Sequence, residues 1–228
     1  MHMFNWYYRL LSSIYISAFF IRTSFAMMVV AFPIYLSNVK GYAIFGILVS
    51  SSPFFELITV MGIATLIDKY GRRETLIYGL LLGAIALFML FVSKNVFYIF
   101  FVNALHGIAA AAILVASLAL LADYSDKKHV GREMGMFDGA NVAGWGVGFG
   151  LGGLLIDIYK NNIGYIFIIA GILALIGLIY SFINVTEPRK KSFVGNELSF
   201  KHISNVLMQK SVLLLTIPWF IIYLLVGT

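Results

Sequence analysis

The sequence predicts an all-α integral membrane protein: a six-helix bundle, a polar linker and a seventh transmembrane helix. Three observations carry that prediction. The 228 residues are 61% hydrophobic and 11% charged, with a mean hydropathy of +0.94, whereas about a quarter of the residues in soluble domains are charged. The apolar residues fall in runs of roughly 18–27, the length needed to cross about 30 Å of hydrocarbon. Finally, nearly all the basic residues lie in the connections between runs, and mostly on one side.

The predicted spans are residues 11–37, 42–67, 74–93, 96–122, 133–156, 163–185 and 211–228. The first stretch, Leu11 to Leu36, is too long for the core of a signal peptide and lacks a convincing cleavage site, so it is a retained first helix. The second and third spans are joined only by Asp68-Lys69-Tyr70-Gly71-Arg72-Arg73, which makes them antiparallel neighbours. The fourth carries an alanine-rich surface and the fifth a glycine-rich one. After the sixth, Thr186-Glu187-Pro188-Arg189 opens the one long polar connection, which ends at Lys210. Residues 1–187 thus form the bundle, 188–210 a linker, and 211–228 a last span, cut short or barely complete. Apolar residues in the linker, among them Phe193, Leu198, Phe200 and Ile203, allow either an amphipathic helix on the membrane face or a flexible segment.

Counting Lys and Arg on alternate sides puts Arg9, Lys69, Arg72, Arg73, Lys127, Lys128, Arg132, Arg189, Lys190, Lys191, Lys201 and Lys210 together. Only Lys40, Lys94 and Lys160 fall opposite, and Arg22 lies within a span. The positive-inside rule then makes the N-terminus, the Asp68–Arg73 joint and the linker cytoplasmic in a multi-pass protein of the cell membrane. The same count explains the +6 net charge, so no nucleic-acid partner is expected. The absence of cysteine excludes thiolate chemistry and cysteine-ligated metals. His2, His106, His129 and His202 share no helical turn, and neither a metal, a cofactor nor an enzymatic nucleophile-base set is predicted. Gly148-x-Gly150-x-x-Gly153 spells a dinucleotide fingerprint, but it sits inside a span with no preceding strand. Asn184-Val185-Thr186 spells a glycosylation acceptor on the predicted cytoplasmic side.

Several polar groups are placed at membrane depth. Arg22 and Glu56 fall near the middles of spans one and two, where an unpaired charge costs about 2.5–3.5 kcal/mol or more. They are expected to pair or to share a water-filled cavity, as a static clamp or as part of a solute pathway. Asn103 and His106, three residues apart, share a face of span four. Asp138 and Asn141 do the same in span five, with Trp145 one turn further in. These residues either line a pathway or hydrogen-bond neighbouring helices. Gly144, Gly148 and Gly152, four apart, make a stripe on span five where another backbone can approach.

With Ala64-Thr65-Leu66-Ile67 before it, the Asp68–Arg73 joint resembles the signature between helices 2 and 3 of the major facilitator superfamily, Gly-x-Leu-Ala-Asp-Arg-x-Gly-Arg-Arg. Asp68, Lys69, Gly71, Arg72 and Arg73 match it, while Ala64 stands at the usual glycine. Gly135, Gly144, Gly148, Gly152 and Gly153 follow the spacing of the family's helix 5 signature, with Phe149 at its proline. Asn103-Ala104-Leu105-His106-Gly107 resembles the helix 4 signature, with Asn103 at the arginine linked to proton transfer and only Gly107 matching strictly.

The resemblance implies the N-terminal half of a secondary transporter with a small-molecule or ion substrate, acting with a C-terminal half not included here. It places Asp68, Lys69, Gly71, Arg72, Arg73 and Asp123 at a cytoplasmic gate, with solvated interfacial charges as the alternative, and turns helices 2 and 5 towards the second bundle. The polar groups at depth, Arg22, Glu56, Asn103, His106, Asp138 and Trp145, are then the candidate pathway residues. Two other classes compete. A non-transporting scaffold or partner-dependent half could be built from the same helices, whereas a retinal protein would need a lysine in the seventh span, and Ser211–Thr228 has none. Arg22 favours an anionic substrate if it faces the cavity unpaired, unless Glu56 neutralises it.

Overall fold

The computed structural model describes residues 2–37, 41–125 and 128–188. They form α1 (His2–Tyr35), α2 (Tyr42–Tyr70), α3 (Arg72–Leu90), α4 (Val96–Tyr124), α5 (Val130–Ile158) and α6 (Gly164–Asn184). Each of the six is long and apolar enough to cross a membrane, and no strand occurs among the described residues. Helices satisfy their own backbone groups, as a chain in hydrocarbon must. The linker beyond Pro188 and the seventh span lie outside the described residues.

The bundle is centred on α1 and α4. α1 packs against α5 and α6, α4 packs against α2 and α3, and α3 also meets α6. Small residues allow this close approach, since lipid supplies no hydrophobic drive for helices to associate. Ala109, Ala111 and Ala116 of α4 and Ala170 and Ala174 of α6 are fully buried. Polar side chains then fix the register. Ser181 of α6 donates to Ser17 of α1 at 2.6 Å, and Tyr35 of α1 donates to the Leu90 carbonyl of α3 at 2.8 Å. By contrast, α2 and α5 present large apolar side chains outward, such as Leu57, Val142 and Leu154.

The joint between α2 and α3 is tighter than the sequence suggests. Instead of a six-residue loop, α2 continues through Asp68 and Lys69 to Tyr70, and α3 begins at Arg72. Gly71 alone turns the chain, at φ 105°, a backbone region that suits glycine because other residues carry a Cβ.

Candidate functional site

A cavity of about 310 Å³ opens between α1, α2, α4 and α5. Its walls include the apolar side chains Phe25, Met28 and Phe32, and its polar groups are Arg22, Ser52, Glu56, Asn103 and His106, with Trp145 at the α5 side. Five of the six pathway residues expected from sequence therefore meet here. Asp138 is the exception: it is exposed on α5 and is not among the cavity's lining residues. It lies one turn before Asn141, whose Oδ1 accepts from Arg22 Nε at 2.8 Å. The structure thus gives Arg22 an amide partner on α5, with Glu56 as a charge across the same cavity.

The α4 wall is built on α2. Asn103 Nδ2 donates to the Leu48 carbonyl at 2.7 Å, just before Pro53 interrupts the backbone donors inside α2. The carbonyl that this proline leaves without its helical partner is that of Val49, the residue after Leu48, which also lines the cavity. His106 Nδ1 shares a 3.0 Å hydrogen bond with Ser52 Oγ, and its ring tilts against Phe25 with centroids 4.3 Å apart. Gly107 allows this approach, because a Cβ there would stand 2.2 Å from the Ser52 carbonyl oxygen. Asn103 Oδ1 and His106 Nε2 remain buried without a hydrogen-bond partner among the described residues. Buried polar atoms are normally hydrogen-bonded, so two without a partner set this wall apart from ordinary core. Ser52 is a site residue that sequence reasoning missed; a lone serine in an apolar span gives no signal.

The glycine stripe faces α1. Cβ atoms at Gly144, Gly148 and Gly152 would stand 2.7 Å from Phe19 O, 2.4 Å from Thr23 O and 3.2 Å from Met27 Cα. Gly135 and Gly153 do not belong to that stripe, since a Cβ at either meets nothing within 4 Å. The helical period carries them off the α1 side. The stripe positions Trp145, which packs on Phe149, the residue at the family's proline position, with ring centroids 5.1 Å apart.

At the end carrying Gly71, a second cluster joins three helices. Arg72 Nε lies 2.9 Å from Asp123 Oδ2 at the end of α4, a close charge contact without hydrogen-bond alignment. Asp68 is exposed and makes none of the ion pairs among the described residues, because its place on α2 turns it away from α4. The acid that closes the joint is Glu187, just past α6. Its carboxylate accepts from the backbone N–H of Arg72 at 2.9 Å and of Arg73 at 2.6 Å, capping α3. Arg73 reciprocates at the end of α6, donating to Val185 O at 2.7 Å and Phe182 O at 2.9 Å. Tyr124 donates to the Thr186 carbonyl. Sequence reading assigned Glu187 to the edge of the linker, since no local pattern marks a cap supplied from more than a hundred residues away.

A bundle of six spans with a largely apolar cavity carrying a few polar groups between its central and outer helices is an architecture found among membrane transport proteins. The model of the Major Facilitator Superfamily matches residues 14–228, and the chain belongs to that family of transporters. It is similar to Multidrug resistance protein 1 of Bacillus subtilis, at 27% identity over 170 residues, covering 73% of this chain and 43% of the relative. It is also similar to Quinolone resistance protein NorA of Staphylococcus aureus, at 24% identity over 184 residues, covering 80% and 46%. The chain spans less than half the length of either relative.

Proposed function

We propose that the described bundle is the N-terminal half of a secondary transporter that moves a small amphipathic solute by alternating access, paired with a second bundle. One observation carries this reading: the 310 Å³ cavity sets Arg22, Glu56 and the unpartnered Asn103 Oδ1 and His106 Nε2 among aromatic walls. A transporter site needs such a mixture, since apolar walls favour drug-sized ligands and a few polar groups orient them. The names of the two relatives, which carry multidrug and quinolone resistance, support export of drug-like molecules. The charge count supports a cytoplasmic N-terminus and a cytoplasmic Gly71 joint in the cell membrane. There, the Arg72–Asp123 contact would brace the closed inner side. Because Glu56 shares the cavity with Arg22, we propose no preference for anions.

The test is export of lipophilic dyes of different charge from proteoliposomes carrying this chain together with its second bundle. Arg22→Ala and Glu56→Ala should each lower the rate at least about tenfold, the equivalent of about 1.4 kcal/mol. Exchange of the two residues should restore part of it. Full transport by every variant would show that the pair is only a clamp. A chain that is folded and inactive even with the second bundle would favour the scaffold reading.

A further inference from the structure

A second cavity, of about 370 Å³, lies outside the solute site, in the groove between α2 and α3 with α4 as its floor. Ile63 and Leu66 of α2, Tyr78 and Leu82 of α3, and Ile108 and Ala112 of α4 line it. The groove exists because α2 and α3 each pack on α4 far more than on each other. Gly79 seats its floor, where a Cβ would come within 2.9 Å of the Ala112 Cβ. It runs from membrane depth at Ile63 and Leu82 to the Gly71 joint, where Tyr70 and Thr75 close it. The distance from Ile63 to Tyr70 along α2 is about 10 Å at 1.5 Å per residue.

The Gly71 end is cationic, and its cations differ in what they already hold. Arg72 is taken by Asp123, and Arg73 by Glu74 and the end of α6. Lys69 makes none of the ion pairs among the described residues. Its ammonium stands 5.2 Å from the centroid of the Tyr70 ring, at the mouth of the groove. The nearby acids do not cancel it there. Asp68 is about 200° around α2 from both Leu66 and Tyr70, on the opposite side from the groove, whereas Lys69 is within about 60–100° of them. Glu74 is held by Arg73. Tyr70, 58% exposed, supplies a phenol group beside Lys69 at the end of α2, where tyrosine meets lipid headgroups, while Tyr78, about 9 Å further along α3 at 1.5 Å per residue, lines the slot itself.

We propose that this groove binds an anionic phospholipid, with one acyl chain lying between α2 and α3 and the phosphate held by Lys69 and the Tyr70 hydroxyl. An apolar slot whose interfacial end carries Lys69, a cation in none of the ion pairs among the described residues, fits a lipid of that charge, and basic pockets between transmembrane helices hold anionic headgroups. The site is separate from the solute cavity: the two share no lining residue.

Native mass spectrometry of the purified full chain, titrated with phosphatidylglycerol or with phosphatidylcholine of the same acyl composition, tests the proposal. The wild type should retain one phosphatidylglycerol, preferred several-fold over phosphatidylcholine. Lys69→Gln should lower phosphatidylglycerol affinity about fivefold, corresponding to about 1 kcal/mol per basic side chain, and leave phosphatidylcholine unchanged. Leu66→Trp, which fills the slot from an exposed position, should weaken both lipids. Failure of the wild type to retain or prefer phosphatidylglycerol would overturn the proposal, as would a groove occupied by the chain's own residues 189–228. A preference unchanged in both variants would place the lipid elsewhere and equally overturn it.

Discussion

Gly148→Val should destroy the bundle, whereas Gly150→Ala, two residues away on the same helix, should stabilise it slightly. At Gly148 a Cβ would stand 2.4 Å from Thr23 O and 2.5 Å from the Ala26 Cβ, so α1 would have to move bodily. Backbone atoms cannot yield as a flexible side chain can, and valine adds two more methyl groups. Overpacking costs about 1–3 kcal/mol where neighbours can shift; here the loss should be about 3 kcal/mol or more. Gly150 meets nothing within 4 Å, and glycine to alanine inside a helix gains up to about 1 kcal/mol. Size-exclusion chromatography in detergent followed by thermal unfolding separates the two. A monodisperse Gly148→Val protein with unchanged unfolding temperature would show that α5 does not rest on α1 in this way.

Glu187→Ala should lower stability by about 2 kcal/mol, a value that allows for partial exposure of the carboxylate. Each hydrogen bond from a backbone N–H to a charged group contributes about 1.5–3 kcal/mol, and an anion at a helix N-terminus adds a few tenths more. Glu187 makes two such bonds at the start of α3. For a domain of this size the loss corresponds to a drop of roughly 4–8 °C in unfolding temperature. Glu187→Gln, which keeps the acceptor oxygen and loses the charge, should fall between. An unchanged unfolding temperature in Glu187→Ala would mean that the cap adds nothing to the joint.

The fold was legible because bilayer thickness imposes a length on each apolar run, and the observed helices α1 to α6 track the spans drawn from hydropathy alone. The site was legible where a residue violated its surroundings. Arg22, Glu56, Asn103 and His106 stand out inside apolar helices, and they line one cavity. Asp138, in the first half of α5, stood out in the same way, but the helix turns it to the exposed side and off the cavity lining. Ser52 and Glu187 gave no warning, because what makes them matter is a partner distant in sequence: His106 for the one, the start of α3 for the other. The joint itself was misjudged because charged residues suggest a loop. Asp68, Lys69 and Arg72 continue or begin helices instead, and one glycine suffices to turn the chain.

That single glycine leaves no slack. A loop of several residues would let α2 tilt without disturbing its neighbour, but with Arg72 and Arg73 clamped by Glu187, the Gly71 end of α2 is a pivot anchored to α3 and α6. A helix of 29 residues is about 43 Å long, so a tilt of only about 5° about that pivot sweeps its far end through about 4 Å by lever geometry. The middle of the lever carries Ser52, Pro53 and Glu56 and would move about half as far, enough to reshape the cavity wall while the anchored end stays still.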